Sequence, residues 1–500
     1  MELKFERTTC QCMRTILREI RHLEQTQELR LPDGMPDIGR VVGTWGQIVL
    51  RSKEWRRDGI GASGGVTVWV MYVPEDGTEA RCVDVWVPFQ AKWDFAETDR
   101  EGVIRLIPLL RSVDARTVSA RKLMIRVGIG LLAEALVPYE VDTYQPGEAL
   151  GDVELLRHTY PVKFPKEARE KTFLLDEELA LPGSCQQIDK LMRYELLPQL
   201  VESRVMAGKV VFRGTGLLHI LYRGESGDLH TWDFEIPFSQ FEELDSEYST
   251  DADARIALAL TSLELDKMED GSLRLKCGLV AQCVITDRMR MVVAEDAYSP
   301  WRDVTPYFQE AFLPAVLDER MEPMVGEITL EMECAKVVDI AFLPDHPAVR
   351  RIGDQAVISQ TGLFQLLYMD SSGLLQTFQR RWEQEHILEA ANDSVVSVDI
   401  CPNGFPAAQN NGGNVSMKGN VNLITCTESL HGQKMISSVE VGEEKQPDKN
   451  RPSVILRRTE GELLWDLAKR CGTTVSAICQ VNGLTDEPDP GKMLLIPVLY

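Results

Sequence analysis

Apolar residues in the first thirty positions recur three and four apart. Met13, Ile16, Leu17, Ile20 and Leu23 follow the buried stripe of a helix, so the spacing predicts an N-terminal helical segment over residues 1–28. The period then changes from near 3.6 to two. GKVVFRGTGLLHILYRGESGDLHTWDFEIPF, residues 208–238, predicts two long strands joined at a glycine-containing turn, and LRLKCGLVAQCVI after Asp270-Gly271 predicts another hairpin arm.

One phrase recurs. Val70-Met71-Tyr72, Ile220-Leu221-Tyr222 and Leu366-Leu367-Tyr368 are each followed five residues after the tyrosine by a glycine, Gly77, Gly227 and Gly373, and the three tyrosines stand 150 and 146 residues apart. Leu31-Pro32 with Ile38 matches Leu181-Pro182 with Ile188, and Val87-Pro88-Phe89 matches Ile236-Pro237-Phe238. The third copy has no Pro-Phe counterpart and carries CPNGFPAAQNNGGN at 401–414. A period this long exceeds the roughly 20–50 residues of a solenoid unit, so each copy is expected to be a domain in its own right, strung along the chain. The predicted organisation is mainly β: three antiparallel, sandwich-like domains at 29–150, 165–305 and, degenerate, 306–440, then a polar linker at 441–453 and a small module at 454–500.

Composition narrows the function. The balance of 44% hydrophobic and 26% charged residues suits a folded chain, and a net charge of −23 opposes both nucleic-acid backbones and anionic lipid surfaces. The N-terminus mixes charges where a signal peptide needs an apolar run, and no stretch reaches the roughly 18–20 apolar residues of a membrane span, so the chain is expected to stay in the cytoplasm. Eleven cysteines without a CxxC pair predict free thiols rather than zinc ligands or a disulfide framework.

Two glycine motifs invite catalytic readings. In DGIGASGGV, 58–66, Gly59, Gly61 and Gly64 match GxGxxG while Gly61, Ser63 and Gly65 match GxSxG, but charged SKEWRRD precedes and a strand follows, where both sites need strand then helix. A flexible hairpin loop is expected there. Gly128, Gly130 and Ala133 follow a predicted strand that continues toward Pro138, leaving no room for a phosphate-binding helix. The seven histidines contain no HExxH, and His219 and His230 are expected as a cross-strand surface pair. No catalytic residue, metal ligand or cofactor is predicted, and the chain reads as a non-enzymatic scaffold or adaptor.

From Val454 the sequence predicts strand, helix, helix, strand: a turn at Gly461, a helix with Leu464, Trp465, Leu467 and Ala468 inward and Gly472 as left-handed cap, a second helix capped by Thr474 and ended by Asn482-Gly483, and a last strand closed by Pro497. Gly-x-x-Leu-Trp, Cys-Gly, Asn-Gly-Leu and Pro-Gly-x-x-Leu-x-Ile-Pro occur in that order, and the module resembles a LysM domain. The resemblance implies a shallow groove for N-acetylglucosamine-containing glycans between two loops, here Gly461, Glu462, Leu463 and Leu464, and Asn482, Gly483, Leu484, Thr485, Asp486 and Glu487. Where the family has Asp-Thr after the glycine, this chain has Glu462-Leu463, which exchanges a hydroxyl for an aliphatic group and suits a protein partner better than a polyol.

The upstream copies resemble the SPOCS repeats of spore-forming bacteria, through GKVVFRGTGLLHILY, EIPFSQF and AEDAYSP in the second copy and VDARTVSARKLMIRV in the first. SPOCS repeats ending in one LysM imply a role in spore coat morphogenesis. The LysM would dock onto the coat's ATP-driven scaffold protein on the mother-cell side of the forespore surface. The competing expectation is a cell-wall protein whose LysM holds peptidoglycan.

Overall fold

The structure is a computed structural model that describes residues 2–77, 79–145, 152–391, 393–446 and 452–499. The first repeat comprises β1 (Glu2–Lys4), β2 (Glu6–Arg30), β3 (Ile38–Arg56), β4 (Gly59–Pro74), β5 (Arg81–Asp94), β6 (Val103–Ser119) and β7 (Lys122–Gln145). The second has β8 (Glu154–Leu179), β9 (Ile188–Met206), β10 (Lys209–Gly224), β11 (Leu229–Glu243), β12 (Asp253–Lys267) and β13 (Leu273–Tyr298). The third has β14 (Arg302–Glu331), β15 (Lys336–Pro344), β16 (Ala348–Ile352), β17 (Gln355–Met369), β18 (Leu375–Glu389), β19 (Ser394–Pro402), β20 (Ala407–Asn411) and β21 (Asn414–Glu444).

Each repeat pairs two antiparallel sheets. Sheet β2-β7-β6 accompanies β3-β4-β5, and β8-β13-β12 accompanies β9-β10-β11. In the third repeat two strands are broken: β15 and β16 both pair with β17, and β19 and β20 both pair with β21, so the CPNGFP insertion interrupts a strand without removing it. The recurring glycines Gly77, Gly227 and Gly373 all take positive φ, 69°, 90° and 78°, which explains why the turn after each tyrosine keeps that residue.

The glycine-rich segment is not a loop. The hairpin turns at Arg57-Asp58, and Gly59 to Gly65 run inside β4, mostly buried. A Cβ on Gly64 would stand 2.7 Å from the Phe89 ring, and one on Gly214 would stand 2.3 Å from the Phe238 ring. The glycines are therefore the floor on which the Pro-Phe aromatics lie.

The N-terminal helix predicted over 1–28 is a strand. β2 pairs with β7 from Glu6–Gln145 to Arg30–Lys122, with a bulge between Thr15 and Leu17. It buries both faces: Ile16, Leu17 and Leu23 pack against the first repeat's core, while Met13 meets Ala168 and Val284 of the second. A bulged strand covered on two sides yields the three-and-four spacing that a helix would. The linker predicted at 441–453 starts later, because β21 runs to Glu444; residues 447–451 lie outside the described part.

The repeats are not separate beads. Met71, Leu221 and Leu367, equivalent residues on the three central strands, share one cluster with Trp45, Trp69, Met192 and Ala341. Opposite them across the ladder stand Gly43, Arg193 and Asp339. One position of the repeat thus carries glycine, cation and anion, and at 2.7 Å Arg193 Nε donates to Asp339 Oδ2 between repeats two and three. His219 stands across from Asp233, not His230; its ring contacts Asp233 Oδ1 at 2.6 Å and Asp339 Oδ1 at 3.0 Å. Burial opposes its charge, but Asp339 and Asp233 outweigh that and push its pKa up to about 9.

A second charged cluster also joins all three repeats. Arg105 Nη1 donates to Glu134 (3.0 Å) and Nη2 to Asp399, Arg18 Nη2 donates to Asp399 (2.6 Å), and Arg255 approaches Glu134 (3.5 Å). Burial opposes ionisation of both acids, yet the three guanidiniums hold them below the usual carboxylate range. Farther along, Cys10, Cys12 and Val141 of the first repeat pack with Phe164 and Met291 of the second and Ala311 and Met435 of the third. The first strand closes the arrangement: β1 pairs with β21, Leu3 opposite Val439. Three repeats around a shared core form one body.

Candidate functional site

The C-terminal module is β22 (Val454–Arg458), α1 (Leu464–Cys471), α2 (Val475–Asn482) and β23 (Met493–Pro497), with β22 and β23 antiparallel. Gly472 and Gly483 take left-handed φ of 66° and 61° at the two helix ends, and Thr474 Oγ1 accepts from Ala477 N at 3.0 Å, as the capping pattern requires. Leu464, Leu467, Ala468 and Ile478 pack with Leu494 and Ile496.

The two groove loops meet. Leu464 N donates to Glu487 Oε2 at 3.0 Å, so a carboxylate of the second loop caps the helix that follows the first. Leu463, half exposed at 50%, is the N-cap residue and offers no side-chain cap. Glu462 turns away from the groove: its carboxylate accepts from Arg470 at 2.6 Å and pairs with Arg457 at 3.5 Å. Gly461 has φ +91° and lies beside Pro490. Asn482 is a brace rather than a reader, because its amide donates to Ile478 O (2.8 Å) and Leu495 O (2.6 Å) and accepts from Leu495 N (2.8 Å). Gly483 ends α2, and Leu484 leans on the core with its N–H on Cys479 O at 3.0 Å. Thr485 and Asp486 are exposed and bonded to each other at 3.2 Å. Leu463, Thr485, Asp486 and Glu487 remain exposed on the two loops.

Two features were not read from the sequence. Trp465, expected in the module's core, also joins the module to the second repeat: its indole N–H donates to Asp296 Oδ2 at 2.8 Å and its ring meets Tyr298 edge-on at 4.7 Å. Lys469 Nζ lies 2.7 Å from the same carboxylate oxygen, and Tyr298 donates to Thr473 O at 2.9 Å. Burial works against the Asp296 charge, but the bonds from Lys469 and Trp465 hold its pKa below the usual range. The outer face of the two-stranded sheet exposes Val454, Leu456, Met493 and Leu495, with Leu456 directly opposite Leu495. Alternation in five-residue strands of unknown orientation carried no signal for either feature.

The family described as SipL, SPOCS domain, matches residues 187–267, and the LysM domain family matches residues 459–497. The chain therefore combines a SipL-type SPOCS domain in its second repeat with a C-terminal LysM domain, and the modules found are binding and scaffold modules rather than catalytic ones. No curated protein and no solved structure matches the chain. Among the described residues, no helix is long and apolar enough to cross a membrane.

Proposed function

We propose that this chain is a non-enzymatic adaptor of spore coat morphogenesis, with its three repeats as a rigid body and its LysM as the docking head for the coat's ATP-driven scaffold protein. The observation that carries the reading is Leu463. It stands half exposed on the first groove loop, where a sugar-reading hydroxyl is absent and the neighbouring Glu462 is turned onto Arg470. An exposed leucine beside the acidic Asp486 and Glu487 offers an apolar anchor with a charged rim, the composition of a protein contact.

Affinity capture from sporulating cells tests the reading. The full chain should retain the coat scaffold, Leu463→Asp should reduce retention at least tenfold, and removal of residues 453–500 should abolish it. Undiminished capture without those residues would end the proposal. Thr485 keeps one hydroxyl on the second loop, so a glycan is the competing ligand. Co-sedimentation of the full chain with purified peptidoglycan, unaffected by Leu463→Asp, would decide for it.

A further inference from the structure

Where the three repeats face one another they line a partly open cavity of about 280 Å³. Each repeat contributes apolar wall: Ile107 and Leu110 from the first, Leu197 and Leu258 from the second, Phe342 and Ile400 from the third. Arg105 lines it as well. That residue is 2% exposed, and although its two terminal nitrogens reach Glu134 and Asp399, its Nε finds no hydrogen-bond partner. A buried N–H without an acceptor is costly, and native proteins rarely leave one unless something meets it.

Arg18, Arg105 and Arg255 pair with Glu134 and Asp399, and Glu195 on the cavity wall is engaged by Arg193 at 2.9 Å. The remaining wall is mostly aliphatic and aromatic.

We propose that this central cavity is a binding site for a medium-chain acyl compound, its apolar tail among the walls of the three repeats and its carbonyl or carboxylate oxygen on Arg105. A dry cavity of roughly 150 Å³ holds one benzene, so this one has room for about ten non-hydrogen atoms. Such a ligand touches all three repeats at once and tightens the body that presents the LysM.

The test is titration calorimetry on the full chain with three ten-carbon probes: decanoate, 2-decanone and decylammonium. Decanoate or 2-decanone should bind once per chain and raise Tm by about 1–2 °C at tenfold excess over Kd, and which of the two binds tells carboxylate from carbonyl. Decylammonium, which offers Arg105 no acceptor, should not bind. Leu258→Trp fills the cavity from its partly exposed side and should lower affinity at least tenfold while the variant still melts cooperatively. Ala257→Phe serves should that variant fail to melt so. Absence of binding by both acceptor probes, equal binding of the ammonium, or undiminished affinity in a filled cavity would overturn the proposal.

Discussion

Replacing Asp339 by alanine removes the anion between repeats two and three. Arg193 Nε loses its acceptor at 2.7 Å, His219 Nε2 loses one at 3.0 Å, and the backbone N–H of Ile340 loses one at 2.7 Å. Arg193 is 1% exposed and keeps only Glu195, with Nη2 already unmatched. Breaking a buried pair by deleting one partner costs about 3–5 kcal/mol, because the remaining charge has no solvent. His219 adds a pH signature. Its folded pKa of about 9 lies above the unfolded value of roughly 6.5, so its stabilisation is fully present below about pH 6.5 and is lost as pH rises through 9, a change of about 3 kcal/mol. Asp339 is the foremost source of that upward push, so the variant should show a shallower pH dependence as well as lower stability. Urea unfolding of the full chain at pH 6 and pH 9.5, followed by circular dichroism, measures both. The shared core further requires one transition for the three repeats. A loss below about 1 kcal/mol at pH 6, or an unchanged pH dependence, would refute the reasoning about Arg193, Asp339 and His219. Arg193→Met with Asp339→Leu should recover most of the stability lost by the single variant.

Gly214→Ala should destabilise the body by about 1–3 kcal/mol in the same urea assay, since the new Cβ would stand 2.3 Å from the Phe238 ring and 2.4 Å from Gln199 O. Asp296→Ala strips the acceptor from both Trp465 and Lys469, so tryptophan emission should shift to the red and protease should cut near 445–453 several-fold faster, with urea unfolding of the repeats unchanged. Gly472→Ala forces a Cβ into φ 66° and should cost the LysM about 1 kcal/mol, seen as an earlier loss of helical ellipticity on heating.

The sequence by itself determined whatever rests on neighbours a few residues away. Gly77, Gly227 and Gly373 mark the repeat because a tight turn needs positive φ locally, and Thr474, Gly472 and Gly483 mark the LysM helices because caps are satisfied within one turn. Tertiary structure decided what the repeats do to one another. Gly43, Arg193 and Asp339 look like unrelated residues when the copies are aligned, and only their convergence makes them complementary. The spacing from Met13 to Leu23 imitated a helix because β2 is covered by its own repeat and by the next, a fact about packing that no local pattern encodes. Trp465 follows the same rule: its stripe placed it inside the module, but Asp296, 169 residues upstream, makes it a joint between the LysM and the repeats.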